Sequence, residues 1–168
     1  MEPEKKALVV IDIQNDITNN YKEIIDNINK ALELSKTEEI PIVYIKNIFL
    51  DTKYGNAFQP GTPGIEFRPD LKILSNNIFI KHEGSAYSSK DFVDFLEKNS
   101  IKHLILTGAD AFYCVKFTCE ELLKNNYKVT VLSDCITSFD KTKIPELIEY
   151  YTLKGAKINT LEKIFNFI

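Results

Sequence analysis

The chain has 168 residues, 44% of them hydrophobic and 27% charged, with 6 Gly and 6 Pro, which excludes a disordered, fibrous or disulfide-stapled miniature protein. It is long enough for one domain, residues 1–168, that buries roughly two-thirds of its unfolded surface. Its 21 Lys and Arg against 24 Asp and Glu leave a net charge of −3, without the basic surplus that holds a phosphate backbone, so nucleic acid is not an expected partner.

Met1 to Lys6 is charged and leads directly into a first apolar run, Ala7–Ile13, too short for a signal-peptide core. No segment reaches membrane-spanning length, and the 3 cysteines are an odd count. Free thiols in a cytoplasmic protein, with no membrane partner, are the expectation.

Further apolar runs follow at Ile40–Ile45, Ile78–Ile80, His103–Thr107 and Lys128–Leu132, and the five together read as strands buried on both faces. Helical spacing separates them: Ile24, Ile25, Ile28, Ala31, Leu32 and Leu34 after the first; Phe92, Val93, Phe95 and Leu96 after the third; Val115, Thr118, Cys119, Leu122 and Leu123 after the fourth. A late helix near Thr142–Leu153 and a sixth strand at Ala156–Asn159 complete the pattern. Parallel neighbours need a crossover and a helix supplies it, so the alternation predicts an α/β chain: a three-layer α/β/α sandwich around a mainly parallel, Rossmann-like sheet.

One connection breaks the rhythm. Asn47 to Asp70 carries Gly55, Pro60, Gly61, Pro63, Gly64 and Pro69, with Phe49, Tyr54, Phe58 and Phe67 among them. The aromatics favour a packed loop that covers a site or meets another subunit.

Ligands bind parallel sheets at the carboxyl ends of the strands. The first run places Asp12 among apolar residues, where a carboxylate without a partner is expensive to desolvate. The third ends in Ile80-Lys81-His82, and the fourth leads through Ala109-Asp110-Ala111-Phe112-Tyr113 into Cys114 at the start of a helix. Asp, Lys and Cys therefore meet on one edge. The helix dipole and a nearby ammonium would favour the Cys114 thiolate, and Asp12 could take the thiol proton and later activate water. Taken singly, a strand-end Lys is usually solvated and a free Cys is usually a small core residue.

Cys119 lies about 140° around the helix from Cys114 and reads as core. Cys135 reads as packing, and His103 as a satisfied residue at a strand start. His82 and His103 have no partner at metal-ligand spacing, so no metal is expected.

Taken together, these segments resemble the isochorismatase-like cysteine hydrolase superfamily, which includes nicotinamidases and N-carbamoylsarcosine amidohydrolases. Leu8–Asp16 is similar to its opening strand and Gly61-Thr62-Pro63-Gly64-Ile65-Glu66 to its Gly-Thr-x-Gly-x-Glu loop. Lys81 with Ser85-Ala86-Tyr87 is similar to its Lys-x-x-x-Ser-Ala-aromatic motif, and Thr107-Gly108 through Cys114-Val115-Lys116-Phe117-Thr118 to its nucleophile segment, with Asp134 after the next strand. The resemblance implies a triad of Asp12, Lys81 and Cys114 that hydrolyses a small amide or carbamoyl compound through a thioester. It also implies an oxyanion hole from the backbone N–H groups of Asp110 and Cys114, a cis peptide at Ala109–Asp110, a small-molecule substrate and a homo-oligomer, dimer or tetramer.

Departures refine that expectation. Metal-binding nicotinamidases carry an Asp and several His in the loop after the second strand, whereas Asn47 to Asp70 contains no histidine; no zinc, iron or other cofactor is expected, and nicotinamide loses its orienting ion. True isochorismatases lack the cysteine, so Cys114 favours amide over vinyl-ether hydrolysis. Phe49, Tyr87, Phe112 and Tyr113 are the candidate pocket residues. Glu66 would either reach the triad or fix its own loop. The competing readings are a non-catalytic binding or regulatory module of the same fold, and a redox role for Cys114, which lacks a resolving cysteine at C-x-x-C spacing.

Overall fold

The computed structural model describes residues 2–17, 19–53 and 55–166; Tyr54, one of the loop aromatics named above, lies outside them. Among the described residues, strands β1 (Lys6–Ile11), β2 (Ile42–Asn47), β3 (Ile78–Lys81), β4 (His103–Gly108), β5 (Lys128–Ile136) and β6 (Lys157–Asn159) form a parallel sheet in the order β3-β2-β1-β4-β5-β6. Around it pack α1 (Ile25–Thr37), α2 (Lys90–Lys98), α3 (Cys114–Lys124), α4 (Ile144–Lys154) and α5 (Leu161–Phe165). This is the predicted α/β/α arrangement.

The alternation of side chains along β1 builds two cores. Ala7, Val9 and Ile11 join Phe92 and Leu96 of α2, Val115 and Leu122 of α3 and Leu147 of α4 on one face. Leu8 and Val10 meet Ile28 and Leu32 of α1 and Leu161 of α5 on the other. Each Val, Leu, Ile or Phe among them, fully buried, contributes about 1.5–3 kcal/mol relative to exposure.

The element boundaries differ from the sequence reading for local reasons. β1 stops at Ile11 rather than Ile13 because Asp12 turns the chain into the left-handed region, with φ 56°, a conformation Asp tolerates. β2 starts at Ile42 because the Ile40 N–H closes the end of α1 on the Ser35 carbonyl, at 2.8 Å, and Pro41 has no N–H to give. β5 runs on to Ile136: Leu106 pairs with Val131 but Gly108 with Ile136, so β5 bulges between them. Asp134 therefore lies within this strand, not after it. β3 corrects the expectation of burial on both faces. It is an edge strand, with Ile78 39% and Ile80 46% exposed. The late helix is divided into a short 3-10 turn, Lys141–Lys143, and α4, while α5 follows β6 and was not anticipated.

The chain runs outward from β1 to β3 and then returns to place β4 on the other side of β1. The connections that follow β1 and β4 diverge at this switch point and open a crevice at the carboxyl edge. The 47–70 loop packs there. Phe67 forms an antiparallel bridge with Gln14, the Phe58 N–H donates to Asp16 Oδ2 at 2.6 Å, and the Phe49 and Phe58 rings meet edge to face at 5.9 Å. No helix among the described residues is long and apolar enough to cross a membrane.

Candidate active site

Three strand ends deliver the three candidate residues to one place. Asp12 follows β1, Lys81 closes β3, and Cys114 is the first residue of α3, reached by the turn after β4. Lys81 Nζ lies 3.1 Å from Asp12 Oδ2 and 3.4 Å from Cys114 Sγ, and it donates to the Glu83 carbonyl at 3.0 Å. Asp12 and Lys81 are each only 1% exposed. The ammonium occupies Oδ2; Asp12 Oδ1 has no hydrogen-bond partner among the described residues.

Gly108 is needed at the end of β4. Its φ is 115°, and a Cβ there would lie 2.2 Å from the Ile11 carbonyl oxygen, beside Asp12. The peptide bond between Ala109 and Asp110 is cis. From Ala109 to Val115 the backbone N–H groups bond to Ile11, Thr137 and Asp110, except those of Asp110 and Cys114, for which no acceptor is found among the described residues.

The Asp110 carboxylate holds this turn in place. Its Oδ1 accepts from the Phe112 N–H at 2.7 Å and the Ser138 hydroxyl at 2.9 Å; its Oδ2 accepts from the Tyr21 hydroxyl at 2.7 Å and the Phe139 N–H at 3.0 Å. Sequence reasoning gave Asp110 only a backbone role, because these donors come from remote segments. Gln14 was also missed. Its amide bonds both backbone groups of Asn47 and the Ile65 carbonyl, tying the end of β2 and the 47–70 loop to the segment after β1. Thr118 donates to the Cys114 carbonyl at 2.7 Å and accepts from the Ala86 N–H at 2.9 Å, locking α3 to the Ser85-Ala86-Tyr87 turn.

Burial sets the electrostatics. It pushes the Asp12 carboxyl above the usual carboxylate range, against the pull of Lys81. Burial also opposes the Lys81 ammonium, but the charges of Asp12 and Cys114 outweigh it and raise Lys81 above the ordinary lysine value. Cys114 goes up as well: burial first and the Asp12 charge second outweigh Lys81. The dipole-and-ammonium argument therefore needs correction. Burial and the Asp12 charge favour the neutral Cys114 thiol, and Lys81 alone pulls toward the thiolate.

Cys114 opens onto a cleft of about 620 Å³, which Phe49, Tyr87 and Tyr113 also line. Phe112 does not line it. That side chain turns inward against the core, while Tyr113 next to it is 61% exposed. Glu66 pairs with Lys46 at 3.3 Å, the loop-fixing alternative. Cys119 and Cys135 are buried in the two cores, and His103 bonds the Thr130 hydroxyl through Nε2 at 2.8 Å. Among the described residues, no group of three or more His, Cys, Asp or Glu side chains is arranged to hold a metal ion.

The isochorismatase domain model matches residues 6–163. The chain belongs to the isochorismatase family. This isochorismatase-family chain is 26% identical over 141 residues to the uncharacterized isochorismatase family protein YddQ of Bacillus subtilis (strain 168), covering 79% of this chain and 78% of that protein. Its fold is similar to that of an isochorismatase-like hydrolase from Alkaliphilus metalliredigens, with a TM-score of 0.89 at 24% identity over 96% of this chain and 98% of that one. It is also similar to the N-carbamoylsarcosine amidase from Thermoplasma acidophilum, with a TM-score of 0.83 at 25% identity over 94% and 97% of the two chains. Family membership and these neighbours show an isochorismatase-family hydrolase fold.

Proposed function

We propose that the protein is a cysteine hydrolase of small amides or carbamoyl compounds, with Asp12, Lys81 and Cys114 as its catalytic residues. The observation that carries this reading is the cluster in which the buried Lys81 ammonium touches both the Asp12 carboxylate and the Cys114 sulfur, at 3.1 and 3.4 Å. Its likeness to an N-carbamoylsarcosine amidase supports the choice of amide chemistry.

The mechanism follows from the charges. Cys114 Sγ attacks the amide carbonyl as Asp12 takes the thiol proton, a step helped by an aspartate whose burial has raised its basicity. Lys81 holds Asp12 in place and faces the sulfur as negative charge forms on it. The backbone N–H groups of Asp110 and Cys114 receive the oxyanion; fixed donors of this kind are commonly worth about a hundredfold or more in rate. Asp12 then passes its proton to the departing nitrogen, and ammonia or an amine leaves. Water attacks the thioester with Asp12 again as base, giving the carboxylic or carbamic acid and the restored thiol.

The test is turnover of an amide and carbamoyl panel by the parent, Cys114→Ala and Cys114→Ser proteins. The expected result is loss of at least about a thousandfold in kcat in both variants. Undiminished hydrolysis by Cys114→Ala would remove the assignment.

A further inference from the structure

The cleft has a charge character that the catalytic residues do not require. Three carboxylates line it, Glu83, Glu120 and Glu121, and no Lys, Arg or His does so among the described residues. Lys81, which lies 3.4 Å from Cys114 Sγ, is already matched by Asp12 at 3.1 Å.

The placement of these acids is set by α3. Cys114, Phe117 and Glu121 recur at i, i+3 and i+7 and so share one helix face. Glu120 and Glu121 lie about 10 Å along the axis from the nucleophile, with the Phe117 ring between. A Cβ on Gly84 would meet Phe117 Cδ2 at 2.6 Å, so the absent side chain lets the ring come close to the backbone, where both residues line the cleft. Tyr113 meets Phe117 edge to face at 6.4 Å, and the two rings are 61% and 40% exposed. Open aromatic faces next to carboxylates attract cations and repel anions.

Lys124 and Lys154 share a neighbouring surface hollow with Glu120 and Glu121 but line no part of the cleft. Lys53 reaches Glu83 at 4.0 Å only at the exposed rim, where screening is strong. Glu120 accepts from the Tyr150 hydroxyl; Lys116 and Lys154 lie over the Tyr150 ring, at 4.7 and 5.4 Å, and line no part of the cleft.

We propose that the cleft selects amides carrying a cationic group, an ammonium or guanidinium on an alkyl or aromatic arm long enough to pass Phe117 and reach Glu120 and Glu121. This inference rests on the cysteine-hydrolase reading for the reacting end of the substrate, and it adds the chemical class of the other end.

Thiol-specific probes separate the two ideas, because they report the field at Cys114 without needing turnover. The parent is treated with the cationic reagent 2-(trimethylammonium)ethyl methanethiosulfonate and the anionic 2-sulfonatoethyl methanethiosulfonate. In each case the sulfur of Cys114 attacks the reagent's sulfenyl sulfur, a mixed disulfide forms and methanesulfinate leaves. Rates are divided by those of free 2-mercaptoethanol, with neutral methyl methanethiosulfonate as the reference for intrinsic thiol reactivity and peptide mapping to confirm the site.

The expected result is a cation-over-anion preference of tenfold or more, falling at least threefold in a Glu120→Gln/Glu121→Gln variant. A preference near unity, an anionic preference, or a ratio unmoved by that variant overturns the proposal. In a matched series, 6-aminohexanamide should exceed hexanamide in kcat/KM, and the half-amide of adipic acid should be poorest; any other order also overturns it. Hydrolysis undiminished in Cys114→Ala, with the probe preference intact, would instead sink the cysteine mechanism and leave the cationic selectivity standing.

Discussion

Asp12 and Lys81 form an ion pair at 3.1 Å in which the two side chains are 2% and 0% exposed. Removing one member leaves the other buried and uncompensated, a loss commonly of about 3–5 kcal/mol. Lys81→Met should therefore lower the urea-unfolding free energy by an amount in that range. The Asp12→Asn/Lys81→Met double variant should recover part of the loss while remaining inactive. A double-variant stability equal to the sum of the two single losses would mean that the pair is not coupled.

The same pair makes opposite predictions for the thiol. Burial and the Asp12 charge raise Cys114, and Lys81 lowers it. At neutral pH, Asp12→Asn should thus speed iodoacetamide labelling of Cys114 and Lys81→Met should slow it, while both variants should lose hydrolysis. In the parent, labelling should keep rising through the ordinary thiol range, near about 8.5, without levelling off. Cys119, buried and pushed up to about 12 by burial and Glu120, should stay unlabelled in the folded protein. Mass mapping across pH reads all of these; equal shifts in the two variants would contradict the charge assignment.

Gly108→Ala should be severe. The residue has φ 115°, and the added carbon would lie 2.2 Å from the backbone oxygen of Ile11. Strain and overpacking together predict a loss of at least about 2 kcal/mol, with activity falling further because Asp12 is the next residue along. Thermal unfolding with parallel kinetics measures both.

His103 gives the fold a pH dependence. Burial lowers its pKa below the ordinary histidine value, so between the folded value and about 6.5 the unfolded chain binds the extra proton. Stability is retained above that window and lost as pH falls through it, at no more than about 1.4 kcal/mol per pH unit. His103→Gln should flatten the slope in urea titrations between pH 7 and 5; an unchanged slope would remove His103 as its source.

Much of this was legible in the sequence because strand ends converge in a parallel sheet. Asp12 stood out as a carboxylate in an apolar run, and Lys81 and Cys114 could be placed on the same edge by counting strands. What could not be read depends on topology and on contacts between remote residues. Ile78 and Ile80 have the composition of a central strand, and only the sheet order makes them an exposed edge. The bulge in β5, which lets Asp134 accept the Leu161 N–H, leaves no mark on hydrophobic periodicity. Phe112 and Tyr113 are adjacent in a non-periodic turn, so nothing local said which would face the cleft. The four donors to Asp110 come from Tyr21, Phe112, Ser138 and Phe139, three of them far away in the chain.

The most direct measurement is intact-protein and peptide mass spectrometry of samples acid-quenched during turnover of an accepted amide. A hydroxylamine-labile acyl group should be carried by the peptide containing Cys114 in the parent, and no acyl group by Cys114→Ala, which should release no ammonia or amine. Full product release by Cys114→Ala, or an acyl group on any other residue, would contradict catalysis by Asp12, Lys81 and Cys114.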